Sequence, residues 1–167
     1  IGIYAENQSI PFIIDLRGLW RFKSGDKMQY AATSHDDSKW KNITVPKAWD
    51  DQGYRNWDGY GWYRKTFIYK NTSDTKMVVV VLGKIDDFDE VYLNGVLISN
   101  KKIENYDLSQ TKYNELKAYY ISSSLLKKKN ILAIRVLETG GVGGIYEGPV
   151  GISTLKDFVN YWKTKKK

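Results

Sequence analysis

Glu90-Val91-Tyr92-Leu93-Asn94-Gly95-Val96-Leu97-Ile98-Ser99 is the stretch that decides the fold. Two runs rich in β-branched and aromatic residues flank Asn94-Gly95, a dipeptide that accepts the positive φ angles of a type I′ turn. The stretch therefore reads as a tight β-hairpin. Working outward, the same period-two alternation between turn residues marks strands at Trp62 to Tyr69, Val78 to Ile85, Ala118 to Ile121, Ile131 to Leu137 and Val150 to Thr154. Helix is confined to one turn at Ser123 to Lys128 and a short segment from Leu155 to Trp162, where Phe158, Tyr161 and Trp162 have helical spacing. The polar, irregular stretch from Asn100 to Leu116 supports no assignment. Short strands at this spacing, without helices between them, predict an all-β fold, an antiparallel two-sheet β-sandwich or jelly roll.

The 167 residues suit one domain, 1–167, with a core that needs no disulfide or metal staple. There is no cysteine, which removes disulfides, thiolate metal sites and a cysteine nucleophile. No apolar run approaches the roughly 18 residues of a membrane span, so no membrane insertion is expected. The net charge is +7, but Lys127 to Lys129, Lys163 and Lys165 to Lys167 account for it; outside them 19 basic residues balance 19 acidic ones. Basic residues confined to a turn and a tail do not make a phosphate-tracking surface, so nucleic acid is not an expected partner.

Strand parity sorts the loops. If neighbouring strands are antiparallel, loops 49–62, 84–90, 100–116 and 139–148 share one end, the top, and loops 70–77, 94–95 and 122–130 the other. The top loops hold Trp49, Tyr54, Trp57, Tyr60, Trp62, Tyr106, Tyr113 and Tyr146 and a net charge of −6, whereas the bottom loops hold no aromatic residue. Parity also brings Arg64 toward the Asp86 to Glu90 segment, which predicts an ion pair there. Val91, Leu93, Leu132, Ile134 and Val136 alternate within their strands and are expected to point inward.

Catalytic machinery is not legible. His35 is the only histidine and sits in the polar turn Ser34 to Ser38, which reads as a solvated position. Asp86, Asp87, Asp89 and Glu147 fall in top loops, but their spacing does not make a facing pair of the kind glycoside hydrolysis needs. Asp36-Asp37 or Asp86-Asp87-Asp89 has the oxygen chemistry of a structural calcium site; no cofactor is otherwise required. Gly140 to Gly144 lacks the lysine and helix context of a phosphate loop and reads as a tight β-connection. The aromatic loop is more informative. Five of the fourteen residues from Trp49 to Trp62 are Trp or Tyr, among Asp50, Asp51, Gln52, Asn56 and Asp58. Flat aromatic faces beside amides and carboxylates suit sugar rings, and equally suit packing at the end of a sandwich.

The motifs Leu19-Trp20-Arg21-Phe22, Gly25-Asp26, Asp36-Asp37-Ser38-Lys39-Trp40, Val45-Pro46, Trp49 and Gln52-Gly53-Tyr54 resemble the N-terminal sugar-binding domain of family two glycoside hydrolases. Asp58 to Phe67, Leu82 to Asp87 and Asp89 to Gly95 continue that pattern in order, and Gly143 to Val150 resembles a variant found in related carbohydrate-esterase accessory modules. The resemblance covers about residues 15–152, leaving 155–167 as a short C-terminal helix or tail. It implies a galactose-binding-like jelly roll and an extracellular or periplasmic setting. In that family the catalytic glutamates lie on a separate barrel of typically about 250 residues, for which this chain has no room. The expectation is thus a noncatalytic carbohydrate-binding or accessory module, or a structural domain that packs on a catalytic partner domain without binding sugar. The expected ligand residues are Trp49, Tyr54, Trp57, Asp58, Tyr60, Asp86, Asp87, Tyr146 and Glu147, with no catalytic residue.

Overall fold

In the computed structural model, residues 9–70 and 75–165 are described. Lys166, Lys167 and much of loop 70–77 lie outside the described residues. Ten strands are present among them: β1 (Ile14–Asp15), β2 (Gly18–Ser24), β3 (Lys41–Val45), β4 (Gly59–Ile68), β5 (Met77–Asp86), β6 (Phe88–Leu93), β7 (Val96–Leu97), β8 (Leu116–Ser122), β9 (Lys129–Glu138) and β10 (Gly144–Thr154). They form a four-stranded sheet in the order β1-β10-β5-β8 and a six-stranded sheet in the order β3-β2-β4-β9-β6-β7. All pairings are antiparallel, as a two-sheet sandwich requires.

The hairpin is as the sequence reads. Asn94 and Gly95 take φ of 51° and 81°, and Leu93 pairs with Val96. Val91, Leu93, Leu132, Ile134 and Val136 are all fully buried between the sheets, with Phe22, Tyr63, Val80 and Leu82. The run Val78 to Leu82 has no polar alternation because β5 is covered on both faces. Val78 and Val80 enter the inter-sheet core, while Val79 and Val81 pack under Phe158 of the helix α1 (Leu155–Lys165). The Thr154 hydroxyl caps α1 by accepting from the Asp157 N–H at 3.0 Å. One turn of 3₁₀-helix spans Ser123–Leu125, where the sequence indicates a turn.

The outer face of the six-stranded sheet is covered by residues 25–40, which pack Tyr30 and Trp40 against Trp62, Tyr92 and Ala133. This cover buries Trp62 and corrects two expectations. Arg64 is not held by the Asp86 to Glu90 segment. Its Nε donates to Asp37 Oδ2 at 2.8 Å, and Nη1 and Nη2 donate to the carbonyls of Tyr30, Ala32 and His35. The reason is lateral order: β9 lies between β4 and β6, so Arg135 of β9, directly opposite Glu90, takes that carboxylate at 2.7 Å. His35 is not simply solvated either. Its ring is half-buried, 5.0 Å from Tyr30 and 5.5 Å from Trp40.

Candidate functional site

Strand direction puts the start of β4, the β5–β6 turn, the start of β8 and the β9–β10 loop at one end, because Gly59 pairs with Glu138, Asp86 with Gly144 and Lys84 with Leu116. The nine expected ligand residues behave differently from one another there. Trp49 has no exposed surface and packs on Phe22 at 5.6 Å. Gly143 is a glycine for this reason, since a Cβ at that position would lie 2.1 Å from the Trp49 ring. Trp49 is therefore a core plug and offers nothing to a ligand, which corrects its place among the contact residues. Tyr54 is half-buried, edge-on to Phe22 at 4.7 Å.

Trp57 is 37% exposed, its indole N–H donating to the Tyr60 carbonyl at 3.0 Å; Asp58 beside it is exposed. Tyr60 is half-buried under the Arg135 guanidinium, 4.4 Å from the ring centre. Tyr146 is half-buried and donates its hydroxyl to the Tyr113 carbonyl at 2.5 Å. Glu147 is exposed and pairs with Lys84 at 2.6 Å.

Asp86 and Asp87 belong to an acidic cluster whose third member is Glu138, the last residue of β9. One carboxylate oxygen from each lies within 4.8 Å of the others, so the group has the spacing to hold a metal ion. Asp87 Oδ2 is fixed by the Thr139 N–H at 2.9 Å and hydroxyl at 2.6 Å, and Glu138 Oε1 by the Gly140 N–H at 2.7 Å. Burial, then the neighbouring Asp87 and Asp50 charges, pushes the Asp86 carboxyl up to about 8. Burial, then Asp86 and Asp87, pushes Glu138 up to about 8 as well. Burial acts to raise Asp87 too, but hydrogen bonds from Asp86 and Thr139 outweigh it and hold Asp87 below the ordinary aspartate value.

The calcium expectation named Asp36-Asp37 or Asp86-Asp87-Asp89; the second group keeps Asp86 and Asp87 but exchanges Asp89 for Glu138. Asp36 accepts from the Ser38 N–H and Asp37 pairs with Arg64, and among the described residues no third carboxylate joins them. Asp89 points between the sheets, where it accepts from the Tyr119 hydroxyl and lies 3.5 Å from Lys117 Nζ. Glu138 stands in its place. Alternation carried a signal for this: with Leu132, Ile134 and Val136 inward, Glu138 is next on the same face.

Sequence reasoning missed the cavity at this end. A cleft of about 410 Å³ lies between the 98–115 connection, the start of β6 and β8. Its lining includes Asp87, Phe88, Tyr106, Gln110, Lys117 and Tyr119. Phe88 and Tyr106 pack at 5.7 Å, and burial pushes the Tyr106 hydroxyl up to about 12. The connection is anchored by Glu90, which accepts from the Ile103 N–H at 2.7 Å, and by Glu104, which pairs with Arg135 at 3.0 Å. It is irregular because these side-chain anchors, and not a strand ladder, hold it, and that left no periodic trace in the sequence.

The fold and this end define a β-sandwich module with its loops gathered over a polar cleft. Over 131 residues, 70% of the chain, it is 32% identical to a putative beta-glucuronidase of Formosa agariphila, of which it spans 12%. It is 28% identical over 73% of its length to a beta-galactosidase of Bacteroides ovatus, spanning 15% of that protein. The fold matches a glycosyl hydrolase family 2 member from Bacteroides cellulosilyticus with a TM-score of 0.61 at 22% identity, over 78% of this chain and 19% of that one. No family model matches. The resemblance carried by the motifs stands: the chain is related to family two glycoside hydrolases and corresponds to a domain-sized part of them. No helix among the described residues is long and apolar enough to cross a membrane.

Proposed function

We propose that the chain is a noncatalytic saccharide-binding module of a carbohydrate-active enzyme system, working in an extracellular or periplasmic setting. The observation that carries the reading is the cleft at the aromatic end. Tyr106, half-buried and backed by Phe88, offers flat apolar surface, and Gln110 and Lys117 offer hydrogen-bonding groups for ring hydroxyls. The exposed Trp57 with Asp58 adds a second flat face at the same end of the sandwich. Tyr60, Tyr146 and Glu147 already have protein partners, so they act as rim and support in this reading. Sugar contact by these groups needs no cofactor; a structural calcium, if bound, belongs to the acidic cluster.

The noncatalytic part of the proposal rests on the cleft's chemistry. Asp87 is the only carboxylate there tied to the rigid strand ends, and it is spent on Thr139; Asp107 and Glu115 sit in the exposed connection. Such a set gives no acid and nucleophile facing each other across a glycosidic bond. Glycan-array binding by the purified chain, followed by calorimetry, tests the reading.

The second reading is an accessory domain that packs on a catalytic partner domain without binding sugar. Tyr120, Val159 and Trp162, on β8 and α1, are 59%, 38% and 37% exposed and favour it. Exposed apolar side chains of this kind suit a protein partner.

A further inference from the structure

We propose that Asp86, Asp87 and Glu138 form a calcium site that ties the ends of β5 and β9 to the start of β6. This does not depend on the chain binding sugar. The acidic spacing alone would not carry it; an orphaned buried atom does. Glu138 is 1% exposed, and its Oε2 has no hydrogen-bond partner, although Oε1 of the same carboxylate is held by Gly140. Asp86 Oδ1 is a second buried oxygen without a partner. Leaving such atoms unpaired costs the desolvation of each, so the site is built for something that supplies positive charge.

Protein does not supply it. Among the described residues none of the three carboxylates takes part in an ion pair. Besides Asp87, the nearby charges acting on Asp86 are Asp50, which adds to the negative field, and Lys117, which already lies 3.5 Å from Asp89. Three hard oxygen donors without histidine or cysteine suit calcium over zinc. Oxygens on one calcium, bound at about 2.4 Å, are at most about 4.8 Å apart, and the spread of the cluster meets that limit. Thr139 and Gly140 fix the far sides of Asp87 and Glu138, the outer support that orients ligating carboxylates.

The test uses the whole chain, stripped with a chelator and titrated with calcium chloride by calorimetry and with terbium by luminescence, without any saccharide. The expected result is one ion per chain with an affinity of about 10⁻³ M or tighter, and a rise in melting temperature. Glu138→Gln should weaken binding at least about tenfold, and Asp36→Asn, in the other acidic pair, should leave it unchanged. If the folded parent gives no saturable signal up to about 10 mM calcium, the carboxyls share protons instead and the proposal fails. It fails equally if Asp36→Asn abolishes binding. Should Glu138→Gln not fold, the parent's stoichiometry and its calcium-dependent rise in melting temperature still decide.

Discussion

The Trp57 indole N–H donates to the Tyr60 carbonyl at 3.0 Å, which pins the ring by its edge and leaves 37% of the residue exposed. Trp49, eight residues earlier in the same aromatic loop, is fully buried against Phe22. The two tryptophans should therefore separate stability from binding.

Trp49→Ala should cost about 3–5 kcal/mol, as truncation of a fully buried aromatic does, because Phe22, Gly61 and Gly143 close around that ring. Trp57→Ala should change stability by under about 1 kcal/mol. Urea denaturation of both variants, followed by far-ultraviolet circular dichroism, checks the contrast. Equal losses would contradict the division of roles.

Arg135 holds Asp26 and Glu90 at 2.7 Å each and Glu104 at 3.0 Å. Arg135→Met should destabilise by about 3–5 kcal/mol, since Glu90, with no exposed surface, would keep its charge without a counter-charge. Adding Glu90→Leu should restore part of the loss. The coupling read from denaturation of both single variants and the double variant measures this pair directly.

The acidic cluster sets a pH dependence. In metal-free protein Asp86 and Glu138 titrate near 8, against about 4 in an unfolded chain. The folded state thus holds protons that the unfolded state has released. The stabilising contribution is complete below about pH 4 and is lost as pH rises to about 8. Asp87 and Asp26, held below the ordinary value, act in the opposite sense but only in acid. Denaturation midpoints should therefore fall between about pH 6 and pH 8.5 in the parent and fall less in Glu138→Gln. A flat parent profile would contradict the shifts.

How far the sequence carried each of these features follows from what alternation and parity encode. Period two placed Val91, Leu93 and Ile134 inward, and the Asn94-Gly95 hairpin fixed its register, because both are local rules. Parity sorted loops to the correct ends. It could not give lateral strand order, so Arg64 was paired with a segment that β9 separates from it. Composition could not tell Trp49 from Trp57, since the difference lies in Gly143, more than ninety residues away in sequence. Glu138 was legible in principle, as the next inward position after Val136. The cleft was not, because side-chain anchors to Glu90 and Arg135 shape the 98–115 connection without any repeating pattern.

The most direct test of saccharide binding is calorimetric titration of the purified chain and of Tyr106→Ala and Trp57→Ala with the best glycan from an array. The account predicts saturable binding by the parent and a loss of about 2 kcal/mol or more, at least about 30-fold in affinity, on removing the stacking ring at the binding centre. Folded parent protein that binds no glycan on the array, or parental affinity in both variants, would contradict it and leave the packing domain as the better reading.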